Sequence, residues 1–579
     1  MSNVEQSRRE QLGTPGESDA STVYCGTVEN PSVVRVTAKP PPPAATEHMV
    51  RMRDGICLAT DVYLPQSGLP TESVLVRLPY DKGGEYCFMP ELAPRFTARG
   101  YAVVVQDVRG KFRSEGETLP WINEVYDAYD TLDWIVAQEW SNGRVGMFGD
   151  SYFGYTQWAA VSSRHAALKA IVPRFTGTQL GARLDDDDPE WSLERYYRAS
   201  FWVDQDIYLW DMDWKRPYAD GVERFFSDIG RRSAAWDLAF PESDPLRRFP
   251  NGHPFDAPAV PTLMVMGWFD VCSPWQWRDH QELSSRPAWS RLEYLRIEAI
   301  DHEMYHVEDA PIGEADDHVR NSAALVRLLD RTTTPALDFF DVFLREDADA
   351  PAIPKVTWEQ VHDGWRQALT WPPPHAAERV LYLVGGDGIA GGLSDVAPDG
   401  EQALTWLHDP KDLVPTPVAN SGAFLLEYPD ERPLGEREDT LAFSGPELEE
   451  QLDLCGPAAL EATVESAGSV IDVFVRLLDE APDGSARLIG RGQKRVREAD
   501  GRRSVTVPLT HVGYRVRAGH RLRVHIASSD FPDHIDWPGT DEHPWLAMDV
   551  QPTRQSLVVG GGAGAILKLT VVPADRDTA

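Results

Sequence analysis

The chain of 579 residues carries 91 acidic against 56 basic side chains, a formal net charge of −35 and an isoelectric point of about 4.8. That excess argues against nucleic acid and anionic membrane surfaces as partners, since both would repel it. The length leaves room for about three domains around a large core. The 5 scattered cysteines lack a C-x-x-C pair and suit reduced thiols in a cytoplasmic protein rather than a disulfide framework.

No segment resembles a secretion signal or is apolar for long enough to span a bilayer, so a protein without a membrane partner is expected. Residues 1–45, rich in Ser, Glu, Gly and Pro and closing on Pro40-Pro41-Pro42-Pro43, read as a disordered tail. A hairpin from Met52 to Tyr63 opens the folded part. The apolar run Ser73–Leu78 has strand length and ends in Pro79-Tyr80-Asp81, and Tyr101–Asp107 is a second such run. Between Asp127 and Trp140, the residues Ala128, Leu132, Ile135, Val136 and Trp140 fall at helical spacing before the stop signal Asn142-Gly143. A third short strand then runs into Gly149-Asp150-Ser151-Tyr152-Phe153-Gly154, and a helix-compatible stretch follows.

Alternating strands and helices predict a mostly parallel sheet with covering helices, an α/β fold. In such sheets chemistry gathers at the carboxyl ends of strands, where Tyr80 and Ser151 both fall. The turn at Ser151 has the form of a nucleophile elbow, which thrusts a hydroxyl out at the top of the sheet. As a generic G-x-S-x-G the match is imperfect, because Phe153 stands where the second glycine belongs and Gly154 follows it.

A serine hydroxyl needs a base, and the base an orienting carboxylate. Two later strands offer them in the order an α/β-hydrolase requires: Pro261–Gly267 leads to Asp270, and Leu292–Ala299 leads to His302. Most of the 15 histidines read as surface or capping residues, but His302 follows an apolar strand. His302-Glu303-Met304-Tyr305-His306 also matches the zinc-protease signature H-E-x-x-H. That chemistry needs both histidines on one face of a helix, whereas this run follows a strand and leads into helix-breaking Pro311 and Gly313. No metal ligand set is expected.

The segment 176–254 interrupts the sheet pattern and is rich in aromatics, among them Trp191, Tyr197, Phe201, Trp202 and Trp210, as expected of a helical cap that excludes water and supplies an apolar pocket. The acidic run Asp185-Asp186-Asp187-Asp188 reads as a solvated loop or helix cap. The sheet pattern resumes over 255–350, with a last helix from Val319 to Arg345. Past the Pro-rich stretch Ala350–Pro354, short alternating strands such as Val470–Leu478 and Arg521–Ala527 predict a β-sandwich over 351–579. Within it, Gly560–Gly564 is expected to be a hairpin loop between Ser556–Val559 and Ile566–Val572.

Several of these runs, in order, resemble one family: "RMRDGICLATDVYLP" (Arg51–Pro65), "VRLPYDK" (Val76–Lys82), "YAVVVQDVRGKFRSEGE" (Tyr101–Glu117), "GMFGDSYFG" (Gly146–Gly154), "GWFD" (Gly267–Asp270) and "SSDFP" (Ser528–Pro532). They look like the cocaine-esterase group of α/β-hydrolases, in a superfamily that also holds α-amino-acid ester hydrolases and Xaa-Pro dipeptidyl-peptidases. The group's elbow, G-x-S-Y-x-G, accounts for the displaced glycine. The resemblance implies Ser151 as nucleophile, Asp270 as acid and His302 as base. It also implies oxyanion donors in the Tyr80 phenol and the Tyr152 backbone N–H, and a jelly roll for the last domain.

Three departures stand out. Glu298-Ala299-Ile300-Asp301 replaces the family's Gly-Pro-Trp-type approach to the histidine. Asp150 puts a carboxylate directly before the serine. The residues after Asp270 are Val271-Cys272-Ser273-Pro274-Trp275, with none of the acids that hold a substrate ammonium in α-amino-acid ester hydrolases, which points to a neutral or aromatic acyl ester. Trp191, Trp202, Cys272 and Trp275 are the expected pocket walls.

The expectation is a serine hydrolase that cleaves an ester, or less often an amide, of a small molecule, with no cofactor and with a homo-oligomer left open. The alternatives are an acyltransferase using the same residues, an Xaa-Pro dipeptidyl-peptidase-like peptidase, and a non-catalytic binding protein.

Overall fold

The computed structural model describes residues 33–66, 70–241, 247–386, 388 and 390–573. A 10-stranded sheet dominates the first part of the chain. In spatial order its strands are Gly364–Ala368, Val356–Gln360, Glu293–Glu298, Thr262–Gly267, Leu168–Arg174, Ser141–Asp150, Thr71–Leu78, Ala102–Asp107, Cys57–Tyr63 and Thr46–Arg51. Every pairing from Val356–Gln360 across to Ala102–Asp107 is parallel, and antiparallel strands close both edges. Strands covered on both faces must be apolar throughout. Ala102–Asp107 and Thr262–Gly267 are buried at every position, which is why they read as continuous apolar runs. The helices Glu124–Val136 and Ser151–Ser163 pack on one face through Leu132, Ile135 and Trp158. Met89–Ala98 and Ser322–Phe343 pack on the other through Phe96, Leu329 and Phe340.

Three boundaries differ from the sequence expectation. The tail predicted over 1–45 is not irregular throughout: Val33–Val36 is a strand paired antiparallel with Ile207–Trp210, and the Lys39 N–H donates to Asp81 at 2.8 Å. Residues 1–32 lie outside the described residues. The α/β sheet does not stop at 350 but takes in Val356–Gln360 and Gly364–Ala368 beyond the proline-rich stretch. The proposed Gly560–Gly564 hairpin is not one, because Thr553–Val559 and Ile566–Val572 both pair with Leu452–Ser466 rather than with each other.

The cap contains the helices Ser192–Ser200, Tyr218–Ile229 and Ala234–Ala239 together with the strand Ile207–Trp210. Most of its aromatics fill its own core: Tyr208, Trp210, Phe225 and Trp236 cluster with Ile535 and Trp545 of the last domain. Lys111 anchors it from below, donating from its buried ammonium to the carbonyls of Phe201, Asp204 and Asp206 at 2.5, 2.9 and 3.0 Å. The acidic run is not a free loop. Asp185 pairs with Lys494 at 2.7 Å and Asp188 accepts from Gln493 at 3.3 Å, so it docks on the strand Ala486–Arg497.

From Ala377 to Val572 the described chain is an all-β domain of 11 hydrogen-bonded strands. Its strand Val470–Glu480, one in from the end of the strand order, is buried at nearly every position. Among the described residues no helix is long and apolar enough to cross a membrane.

Candidate active site

Strand Ser141–Asp150 ends where helix Ser151–Ser163 begins, and Ser151 itself has a φ of 49°. A left-handed serine costs about 1–3 kcal/mol, a strain the surrounding structure must hold. Close packing forces the flanking glycines. A Cβ on Gly154 would stand 2.6 Å from Thr176 Cγ2, and one on Gly149 would run into the Phe153 ring. Phe153 can therefore stand two residues after the serine because Gly154 makes the close approach. Gln157 pins the helix in place, donating to the Gly149 and Val172 carbonyls at 3.2 and 3.1 Å and accepting from the Val172 N–H at 2.9 Å.

Tyr80 follows the end of strand Thr71–Leu78, and its phenol lies close to Ser151. Burial pushes the phenol pKa up, against the lowering effects of Ser151 and the His302 charge, so the group keeps its proton. The ring is held edge-on by Tyr86, Phe153 and Phe201 at centroid distances of 5.6, 6.1 and 6.1 Å.

Asp270 and His302 meet from two neighbouring strand ends. The imidazole Nδ1 lies 2.7 Å from Asp270 Oδ1, which also accepts the Cys272 N–H at 2.9 Å. Asp270 Oδ2 is buried with no hydrogen-bond partner. Burial works to lower the His302 pKa, but the charges of Cys272 and Asp270 and their hydrogen bonds outweigh it and raise the imidazole well above its ordinary value. Burial likewise pushes the Cys272 thiol up. Asp270, Cys272 and His302 thus form one cluster, and the Tyr80 phenol is near enough to feel the His302 charge.

His302 stands on a tight turn closed by a bridge between Ile300 and His306. Asp301, fully buried, holds that turn by accepting from the Tyr305 and Leu425 N–H groups at 3.0 and 2.8 Å. The Glu303 N–H donates to the Gly422 carbonyl at 3.1 Å, a second tie to the C-terminal part of the chain. The two histidines of H-E-x-x-H do not share a helix face. His302 turns to Asp270, while His306 Nε2 turns to Glu359 at 3.0 Å.

Asp150, singled out for its charge, points away to Arg174 at 2.5 Å. Burial raises the Asp150 pKa, and the Arg174 guanidinium opposes that rise. Tyr152 sends its side chain elsewhere, donating to Glu124 at 3.0 Å, accepting from the Trp121 N–H at 2.8 Å and stacking on Trp121 at 4.4 Å. Trp202 and Trp275 pack with Tyr152 and Cys272 in one apolar cluster, with Trp191 on its edge 5.6 Å from Trp275.

Sequence reasoning missed Arg174 and Asp301 as partners of the site. Each is a charged residue at a strand end, a pattern that flags it only once its neighbour is known.

A serine on a strand-to-helix elbow, with an Asp–His pair at the ends of later strands of the same parallel sheet, defines an α/β-hydrolase. The X-Pro dipeptidyl-peptidase (S15 family) profile matches residues 54–303, and the X-Pro dipeptidyl-peptidase C-terminal non-catalytic domain matches 349–563. Cocaine esterase from Rhodococcus sp. (strain MB1 Bresler) is 31% identical over 565 residues, covering 85% of this chain and 91% of that protein. A putative serine esterase of Mycobacterium tuberculosis is 24% identical over 599 residues, with the same two shares of 85% and 91%. The fold is also that of an aminopeptidase from the archaeon Thaumarchaeota archaeon, with a TM-score of 0.74, 22% identity, and 97% of this chain and 100% of that one covered. An α-amino acid ester hydrolase gives a TM-score of 0.72 at 22% identity, with 96% and 100% covered.

The chain belongs to the cocaine-esterase family of S15-type serine hydrolases.

Proposed function

We propose that this protein is a serine esterase that opens an ester, or less often an amide, through an acyl-enzyme formed on Ser151. The observation that carries this reading is the 2.7 Å bond between His302 Nδ1 and Asp270 Oδ1, with the Tyr80 phenol close to Ser151. With Nδ1–H held by Asp270, the lone pair of His302 falls on Nε2 and can take the serine proton. Ser151 Oγ then attacks the carbonyl carbon, and the carbonyl oxygen becomes an oxyanion. The Tyr80 phenol and the Tyr152 backbone N–H receive it; one such donor is worth about 3–4 kcal/mol of barrier. His302 returns the proton to the leaving alcohol, and water repeats the sequence to release the acid.

The substrate is a small molecule with a neutral or aromatic acyl group, held against Trp191, Trp202, Cys272 and Trp275. The 4 described free cysteines support a reducing compartment such as the cytoplasm. A peptidase acting on Xaa-Pro substrates is the second reading, favoured by the name of the profile over residues 54–303.

Turnover of p-nitrophenyl esters and of Xaa-Pro p-nitroanilides, with intact-mass detection of an acyl adduct on Ser151, separates the two. The proposal expects ester turnover to dominate and to survive EDTA, and a protein inert to both substrate classes would refute it.

A further inference from the structure

The Cys272 thiol lies near the His302 imidazole, yet no proton or bond transfer in acyl transfer uses its sulfur. A ligand atom from each of Asp270, Cys272 and His302 lies within 4.8 Å of the other two. Asp270 and Cys272 are 3% exposed, and the Asp270 oxygen not bonded elsewhere is buried and unpartnered. One soft donor, one imidazole nitrogen and one carboxylate oxygen form the ligand mix that zinc and its heavier congener cadmium prefer over hard cations.

We propose that Asp270, Cys272 and His302 form an inhibitory site for thiophilic divalent cations, Zn²⁺ first, which switches the enzyme off by taking its base. The site shares only His302 with the H-E-x-x-H pattern, whose second histidine is engaged by Glu359. The inference rests on the reading of His302 as the base of the serine.

On binding, the thiol releases its proton to solvent and its sulfur donates to the metal. An imidazole nitrogen and a carboxylate oxygen donate as well, and water completes the tetrahedron. Through Nε2 the metal occupies the lone pair that would accept the serine proton. Through Nδ1 it replaces the bond to Asp270. Either way His302 can no longer shuttle a proton. Because a thiol proton must leave, inhibition strengthens as pH rises.

The test titrates ester hydrolysis with zinc sulfate in metal-buffered solution, beside Mg²⁺ as the hard-cation control, each variant being normalised to its own metal-free rate. The wild-type protein is expected to be inhibited by Zn²⁺ and not by Mg²⁺, and EDTA to restore it. Cys272→Ser and Cys272→Ala are each expected to weaken zinc inhibition at least by the roughly 10–100-fold that even outer partners of a metal site command. Cadmium is expected to give one equivalent of thiolate charge-transfer absorbance in the wild type and in Ser151→Ala, and none in the Cys272 variants. The Ser151→Ala arm reads metal binding without the nucleophile, so the site and the serine reading fail separately. Equal zinc inhibition of the wild type and both Cys272 variants would overturn the proposal, as would the absence of a Cys272-dependent cadmium band.

Discussion

Asp301, the residue before His302, accepts the backbone N–H of Leu425 at 2.8 Å, so the turn that presents the imidazole is fastened to the C-terminal part of the chain. The same carboxyl closes the turn internally through the Tyr305 N–H at 3.0 Å. The all-β domain therefore helps to fix the His302 imidazole in place. Asp301→Ala leaves two buried N–H groups unpaired, a cost of about 1–3 kcal/mol each. Its expected signature is a kcat about 100-fold lower with KM little changed, since a small misplacement of a catalytic group is that expensive. Steady-state kinetics beside a melting curve checks it. A variant that melts earlier but keeps its kcat would show the tether to be structural only.

Removal of the Tyr80 phenol should cost rate rather than binding. Tyr80→Phe keeps the ring among Tyr86, Phe153 and Phe201 but loses a donor to the oxyanion. A fall in kcat of about 10²–10³ is expected. Because burial keeps the phenol protonated, no alkaline loss of activity should trace to it.

The pH–rate profile follows from His302. The base acts only when neutral, and its pKa lies well above the ordinary 6.5. Activity must therefore rise with pH through that raised value and be lost below it, with the midpoint of the acid limb above 6.5. A wild-type midpoint below 6.5 would contradict the raised pKa of His302.

Arg174 and Asp150 should behave as one unit. Arg174 is 1% exposed, so Arg174→Met strands a carboxylate near His302. The expected loss is about 3–5 kcal/mol of stability, with Asp150→Asn in the same chain recovering part of it. Denaturant unfolding of the four proteins in that cycle measures the coupling.

What could be read from the sequence was local or ordered along the chain. The elbow shows in eleven consecutive residues from Arg144 to Gly154. Asp270 shows because it follows Thr262–Gly267, buried at every position, and His302 because it follows the alternating strand Glu293–Glu298. The partners that complete the site were hidden because they are distant in sequence: Arg174 for Asp150, Leu425 for Asp301, the strand Ala486–Arg497 for Asp185. Composition misled at both ends of the α/β part. A Pro-rich tail conceals Val33–Val36, whose hydrogen-bond partner is in the cap, and the prolines of Ala350–Pro354 suggested a boundary that the sheet runs past.

The strongest single test is covalent. A fluorophosphonate probe, which reports only a serine activated by a working base, should label this protein once, and peptide mapping should find the label on Ser151. Ser151→Ala should take no label, and His302→Ala should take it far more slowly than His306→Ala. Undiminished labelling of Ser151→Ala would mean that the reactive oxygen lies elsewhere and that the elbow described here is not the active one.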